Sequence, residues 1–279
     1  MEIDNQPGQD APQADHIRFL FDPHNTLTTL AAQQRRFGSE VATLTDEELA
    51  SPSRCVGWTV ADVLRHLVWV DATMLRLWSG DETPTDGFDP RTTPNEFVRA
   101  DRIVSNGEIR RRYLSSTEAM ALELESADPK RFGHPSLSPA GRVPWWMSAM
   151  HLGWDSIVHE RDVLIPLGRA MAVEPGETTP TLAYSLVLAA LFDRGDRLDV
   201  QVGPARLIRS DGPVTVWAVE VASDRNNGSD RHGTRVLTGD PVATADALCG
   251  RGTLRESLRG DPTLIDRLSG LARYFASGG

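Results

Sequence analysis

The stretch that most constrains this chain runs from Pro144 to Pro166: Pro-Trp-Trp-Met-Ser-Ala-Met-His-Leu-Gly-Trp-Asp-Ser-Ile-Val-His-Glu-Arg-Asp-Val-Leu-Ile-Pro. Pro144 suits the first position of a helix, and only Pro166 interrupts one before Gly168. At about 100° per residue, Ser148, His151, Asp155, His159 and Asp162 fall in one stripe. Leu152 and Val158 flank it, with Met147, Trp154 and Ile165 next to Val158, while Ala149, Gly153, Ser156 and Glu160 take the opposite side. The polar stripe therefore points into apolar surroundings, where unpaired carboxylates and imidazoles are costly. A carboxylate and an imidazole four residues apart can share one metal ion, which removes that cost. A surface stripe, or a hydrogen-bonded core network without metal, is the alternative.

A partner for the stripe lies upstream. Thr59 is suited to cap a helix that runs through His66 to about Trp78, with Asp62 in a capping-box-like position. His66 shares its face with Val63, Val70 and Met74, so it points inward. Read alone, His66 is a core histidine. Together with Asp155 and His159 it makes three donors with positions left for water or substrate, the pattern of a catalytic rather than a structural metal site. Nitrogen and carboxylate donors suit zinc and also nickel, iron(II) or manganese.

Two further helices complete the picture. Leu27, Leu30, Ala31, Phe37, Val41 and Leu44 give one from Asn25 to about Leu44, and Asn95 to about Ser126 gives another, with a break near Ser105-Asn-Gly107. Residues 45–57 and 80–94 read as connections. Four long helices in the first 168 residues suit a bundle. After Gly168 the pattern changes to a linker, an apolar helix from Thr181 to Phe192, and short strands at 200–202, 205–209, 214–221 and 234–237. Short helical pieces follow at 242–248 and 262–276. The expected organisation is a disordered extension over 1–17, a helical bundle over 18–168, a linker over 169–180 and a small α+β domain over 181–279.

Composition narrows the function classes. A formal net charge of −10 argues against sequence-independent nucleic-acid binding. No segment reaches the roughly 18–20 uninterrupted apolar residues of a membrane span, and the polar N-terminus has no secretory pattern, so a cytoplasmic protein is expected. Cys55 and Cys249 are too few for a disulfide framework or a cysteine-type zinc site, and Cys55 reads as a buried structural thiol rather than a nucleophile. A Gly-rich phosphate loop, a Gly-x-Ser-x-Gly elbow and a His-Glu-x-x-His motif are all absent. Arg110, Arg111 and Arg112 read as a solvated face. His134 reads as exposed, and His232 has no assignable partner.

The run Arg54-Cys55-Val56-Gly57-Trp58-Thr59-Val60-Ala61-Asp62-Val63-Leu64-Arg65-His66-Leu67 resembles a signature of the mycothiol-dependent maleylpyruvate isomerase family, whose bundle is DinB-like. Asp155-Ser-Ile-Val-His159-Glu-Arg-Asp162-Val is similar to the second signature, Glu-x-x-Val-His-x-x-Asp. Residues 236–251, with Gly260-Asp261-Pro262, resemble the sterol-carrier-like domain of these proteins. The resemblance implies that His66, Asp155 and His159 bind a divalent metal, usually zinc. It also implies that mycothiol, the low-molecular-weight thiol of actinobacteria, is the cosubstrate.

One departure stands out. The family's first ligand on this helix is typically Glu, and Asp155 is one methylene shorter. Either the helix moves in, or Asp155 reaches through water, or His151 takes a share. Ser148, His151 and Asp162 are then supporting or capping residues.

The expected activity is metal-dependent addition or transfer of the mycothiol thiolate to a small electrophile, or cis–trans isomerisation of the maleylpyruvate type. A non-catalytic metal-stabilised binding protein and a thiol-independent metal hydrolase are the alternatives. Arg99, Arg102 and Arg142 are candidates for gripping substrate carboxylates, together with the arginines at 110–112. Trp145 and Trp146 are candidates for the pocket mouth or for packing, and His151 for thiol or substrate contact. The electrophile and the oligomeric state stay open.

Overall fold

A computed structural model of the chain describes residues 17–19, 23–81, 88–89, 92–138, 141–169, 174–192, 198–202, 205–210, 216–221 and 235–270. In chain order these form β1 (Ile17–Phe19), α1 (Pro23–Ala42), α2 (Asp46–Ala50), α3 (Val60–Trp78), α4 (Thr93–Asp101) and α5 (Asn106–Glu125). Then come β2 (Pro135–Ser138), β3 (Gly141–Pro144), α6 (Trp145–Leu164) and α7 (Pro175–Phe192). The C-terminal part holds β4 (Leu198–Val202), β5 (Ala205–Ser210), β6 (Val216–Val221), β7 (Arg235–Gly239), α8 (Pro241–Leu248), α9 (Leu254–Ser257), β8 (Leu258–Arg259) and α10 (Pro262–Leu268). The chain divides into two compact units. One holds residues 23–139 and 144–177, the other residues 178–277 with 1–22 and 140–143.

In the helical unit, α1 packs on α5 and α6, and α3 packs on the same two helices. Their starts follow the expected chemistry. Thr59 accepts from Asp62 N while the Asp62 carboxylate accepts from Thr59 N, a complete capping box, and Ser105 caps α5 after the expected break. A second complete box, Thr45 with Glu48, makes a short helix, α2, where the sequence reads as a plain connection. Pro144 sits at the cap of α6, one position ahead of its expected place.

The apolar side chains gather into two plugs. One joins Leu30 of α1, Val70 and Met74 of α3, Met120 of α5 and Leu152 of α6. The other joins Phe37, Val63, Ile109 and Val163 of the same helices. Between them on each helix lie buried polar groups: Gln33 and Gln34 on α1, His66 on α3, Thr117 on α5, and Asp155, Ser156, His159 and Glu160 on α6. The helical unit thus carries a polar belt between two hydrophobic ends.

α6 is buried on all sides, including the face opposite the polar stripe. There Ser156 donates to Gln33 Oε1 at 3.0 Å, and Glu160 accepts from Gln33 at 2.9 Å and from Arg36 at 2.8 Å. Gly153 allows α1 this close, because a Cβ there would stand 2.4 Å from Leu30 Cδ2.

The second unit contains a six-stranded sheet in the order β1-β6-β5-β4-β7-β8. β4–β5, β5–β6 and β7–β8 are antiparallel, and β1–β6 and β4–β7 are parallel. The four expected strand segments all form. Two features differ from the sequence reading. Ile17–Phe19 is a strand of this sheet, in register with Trp217–Val219, although it stands next to a polar N-terminal tract. α7 begins at Pro175 rather than Thr181: Gly176 and Pro180 read as linker, but Pro175 opens the helix and Glu177 lies in its first turn. The tract around His232 and most of residues 1–17 lie outside the described residues. No helix among those described is long and apolar enough to cross a membrane.

Candidate metal centre

His66 points from the middle of α3 into the polar belt, and Asp155 and His159 meet it from successive turns of α6. His66 Nε2 lies 3.4 Å from Asp155 Oδ2, and His159 Nε2 lies 3.5 Å from Asp155 Oδ1. The three donor atoms all fall within 4.8 Å of one another, and the two imidazoles meet edge-on at 4.9 Å between centroids. Asp155 Oδ2 is buried and accepts no hydrogen bond. Its separation from His66 is too long for a charge-assisted hydrogen bond, which runs about 2.7–2.9 Å. It is close to the roughly 3.3 Å edge of a tetrahedron whose centre lies about 2.0–2.1 Å from nitrogen and oxygen ligands. The donor set and the orphaned carboxylate oxygen fit a divalent ion. Asp155 lies 3.4 and 3.5 Å from the two histidines, its two oxygens divided between them.

The electrostatics agree. Burial works to raise the Asp155 carboxyl, but the imidazoles of His159 and His66 outweigh it and hold the group below the usual carboxylate range. Burial also works against charging His159, and Asp155, Cys55 and Asp162 overcome it, so the ring is pushed up. Without an ion, the pair is therefore held as an ionised couple.

A second cluster stands behind the first. His159 Nδ1 lies 3.0 Å from Asp162 Oδ2, and Cys55 Sγ donates to the same oxygen at 3.1 Å. Arg54 Nε approaches the other oxygen at 3.8 Å, and Arg54 N donates to the Asp162 carbonyl at 3.0 Å. Cys55, His159 and Asp162 also have metal-ligating atom types. Cys55 Sγ and His159 Nδ1 are 3.7 Å apart, but the contacts of both to Asp162 Oδ2, at 3.1 and 3.0 Å, are those of hydrogen bonds to one carboxylate oxygen. Asp162 accepts the Nδ1 proton of His159 and so leaves Nε2 as the free donor. Cys55 is half-buried and hydrogen-bonded, not the enclosed structural thiol expected from sequence.

The remaining candidates divide. His151, one turn before Asp155, stacks on Trp154 at 5.7 Å, and burial pushes its ring down to about 4, so it is neutral at physiological pH. Ser148 belongs elsewhere, bonded to Trp78 Nε1 at 2.7 Å. Trp145 does not line an opening. It is enclosed between Trp78 and Phe132, with the Arg131 guanidinium 4.7 Å from its ring centroid.

Arg102 does not face the imidazoles either, because Asp62 holds it at 2.8 Å, and Arg99 is exposed on α4. The side chain of Arg142 lies outside the described residues. Arg111 and Arg112 pair with Glu108 at the surface, and Arg110 reaches the Leu44 carbonyl. His134 is exposed as expected. The sequence reading missed Trp58. Its ring lies 5.4 Å from that of His66 and 6.4 Å from that of His159.

Fold and cluster together define a helical domain built around a buried two-histidine, one-carboxylate site, followed by an α+β domain. Residues 30–164, just under half of the chain, match the model of the mycothiol maleylpyruvate isomerase N-terminal domain. The chain is similar to the crystal structure of the mycothiol-dependent maleylpyruvate isomerase, with a TM-score of 0.57 and 14% identity over 86% of this chain and 93% of that one. It is also similar to the structure of a histidine-to-alanine mutant of that isomerase, with a TM-score of 0.56 and 16% identity over the same shares. At these identities the likeness is one of fold. Among curated proteins none matches the sequence significantly.

Proposed function

We propose that the chain is a metal-dependent enzyme that uses mycothiol as a thiol cosubstrate, with His66, Asp155 and His159 as the ligands. The observation that carries this reading is the buried Asp155 carboxylate, set 3.4 and 3.5 Å from two imidazole nitrogens inside the segment that matches this family's model. Zinc suits the donor set best, with nickel, iron(II) and manganese as the other candidates. A divalent ion bound there supplies Lewis acidity that converts a coordinated thiol, of ordinary pKa about 8.5, to thiolate at neutral pH.

The chain's own residues prepare and hold the site. Asp162 fixes the tautomer of His159, and the Cys55 thiol and Arg54 hold Asp162 in turn. Trp58 covers the imidazoles, with its indole N–H fixed by Asn95 Oδ1 at 2.8 Å. The thiolate attacks an electrophilic carbon of the second substrate. In isomerisation it adds to a conjugated double bond, the resulting single bond rotates, and the thiolate is expelled. In transfer the new carbon–sulfur bond remains, and either a proton completes the adduct or a leaving group departs with its electron pair.

The test is turnover by the purified, metal-assayed protein of a maleyl-type substrate and of other electrophiles, with and without mycothiol. Turnover that requires both metal and mycothiol supports the proposal. Metal-dependent hydrolysis indifferent to mycothiol would reassign the protein as a hydrolase, and ligand binding without turnover across substrates would leave a binding protein.

A further inference from the structure

The face of α6 that turns away from the cluster is bonded to α1 by polar groups with no part in the proposed chemistry. Ser156 Oγ donates to Gln33 Oε1 at 3.0 Å, and Gln33 Nε2 donates to Glu160 Oε2 at 2.9 Å. Arg36, one turn further along α1, closes on the same carboxylate with its fork. Its Nε lies 3.2 Å from Glu160 Oε1, and its Nη2 lies 2.8 Å from Oε2. Arg36 Nη2 also donates to Glu177 Oε2 at 3.0 Å, in the first turn of α7. Gln33, Ser156, Glu160 and Glu177 are all buried. Their place in the sequence gives these bonds a second meaning. Ser156 directly follows Asp155, and Glu160 directly follows His159.

The aim of Asp155 and His159 depends on how α6 is turned about its own axis. Side chains extend about 5–6 Å from a helix axis, so a rotation of about 10° carries a donor atom by about 1 Å. A metal-binding constellation tolerates only about 0.5 Å of such error. Apolar contact between the helices, such as Leu30 against Gly153, sets their spacing but is non-directional. Hydrogen bonds have preferred angles, and a guanidinium fork on a carboxylate fixes two of them at once. For holding two helices together, well-packed apolar residues serve as well as buried charges and avoid the cost of desolvation. What the polar groups add is a fixed rotation.

We propose that Gln33 and Arg36 are positioning residues for the metal centre. They grip the residue next to each ligand on α6, hold the helix in one rotation, and so aim Asp155 and His159 at a common ion. Neither touches the ion or the thiol. The inference rests on the metal reading of the cluster and extends the site to α1. The geometry of the Arg36 fork matters here, not only its charge, so lysine does not replace it.

Cobalt(II) titration of the full chain tests this, because the visible absorption of bound cobalt reports ligand geometry as well as occupancy. The variants are Gln33→Met, which keeps much of the volume and removes the bonds, and Arg36→Lys, which keeps the charge and removes the fork. Urea unfolding is followed on the same samples. The expected result is a loss of about tenfold in cobalt affinity in each folded variant, with an altered cobalt spectrum. Arg36→Lys carries the test where Gln33→Met does not fold. A lower unfolding midpoint with unchanged affinity and spectrum marks these contacts as packing alone and overturns the proposal. Full wild-type affinity in Arg36→Lys marks Arg36 as a balancing charge and overturns its part. Absence of cobalt uptake by the wild-type chain overturns the metal reading itself, an outcome distinct from uptake that the variants leave unchanged.

Discussion

His159 Nδ1 lies 3.0 Å from Asp162 Oδ2, and this contact turns the opposite nitrogen, Nε2, toward Asp155 and His66. Two aspartates about two turns apart on α6 thereby divide the work: Asp155 faces the cluster, and Asp162 orients a member of it. Asp162 is fully buried. Its charge is balanced by His159, by the Cys55 thiol and by Arg54.

Replacing Asp162 therefore loosens the metal without removing a ligand. Asp162→Asn keeps the volume but removes the charge that fixes the His159 tautomer. Metal affinity is expected to fall by about 10–100-fold, as for other partners that orient a metal-bound histidine. Competition against a chromogenic chelator reads this directly. An unchanged affinity would show that His159 is held by packing alone.

Asp71 predicts a pH dependence of stability. It is buried on α3, accepts from Ser116 Oγ at 2.7 Å, and burial pushes its carboxyl from an ordinary 3.8 to about 7. Asp155 adds to the rise, while the Ser116 hydrogen bond opposes it. Between these values the folded chain holds a proton that the unfolded chain releases. Stability is therefore complete below about pH 4, falls as pH rises through about 7, and levels off above that. The full span is on the order of 4 kcal/mol. Asp71→Asn should remove the slope, matching wild type near pH 4 and exceeding it near pH 8 in urea unfolding. Parallel profiles for the two proteins would refute the assignment.

Gly153 tests the closeness of α1 and α6. A Cβ there would fall 2.4 to 2.8 Å from three carbons of the Leu30 side chain. Gly153→Ala is expected to cost about 1–3 kcal/mol of stability through overpacking, despite the better helix propensity of alanine. The penalty should shrink in a Leu30→Ala background, where the clash is absent, and a double-mutant cycle of unfolding free energies measures that coupling.

The parts of this molecule that were legible in sequence follow helical periodicity. His66 lies among Val63, Val70 and Met74, and Asp155 and His159 are four apart, so both faces could be drawn without a structure. Caps with their own chemistry, such as Thr59 with Asp62, were equally visible. The missed parts depend on contacts that no period records. Cys55 meets Asp162 across 107 residues, from a loop with no repeat to place it. Arg102 read as a free cation near the end of α4, but Asp62, which also caps α3, had already claimed it. A helix with one polar stripe also suggested a helix with one buried face. Small residues at Ala149 and Gly153, and a paired Glu160, instead let α6 be enclosed all round.

The central claim is that His66, Asp155 and His159 hold one ion that activates a thiol. Its most direct test is the metal content of the purified full chain by elemental analysis, for wild type and His66→Ala, with mycothiol affinity measured on each by calorimetry. The account predicts one divalent ion per chain in wild type, its loss in a folded His66→Ala protein, and loss of mycothiol binding with it. Full metal occupancy in His66→Ala, or mycothiol binding that survives removal of the metal, would contradict it.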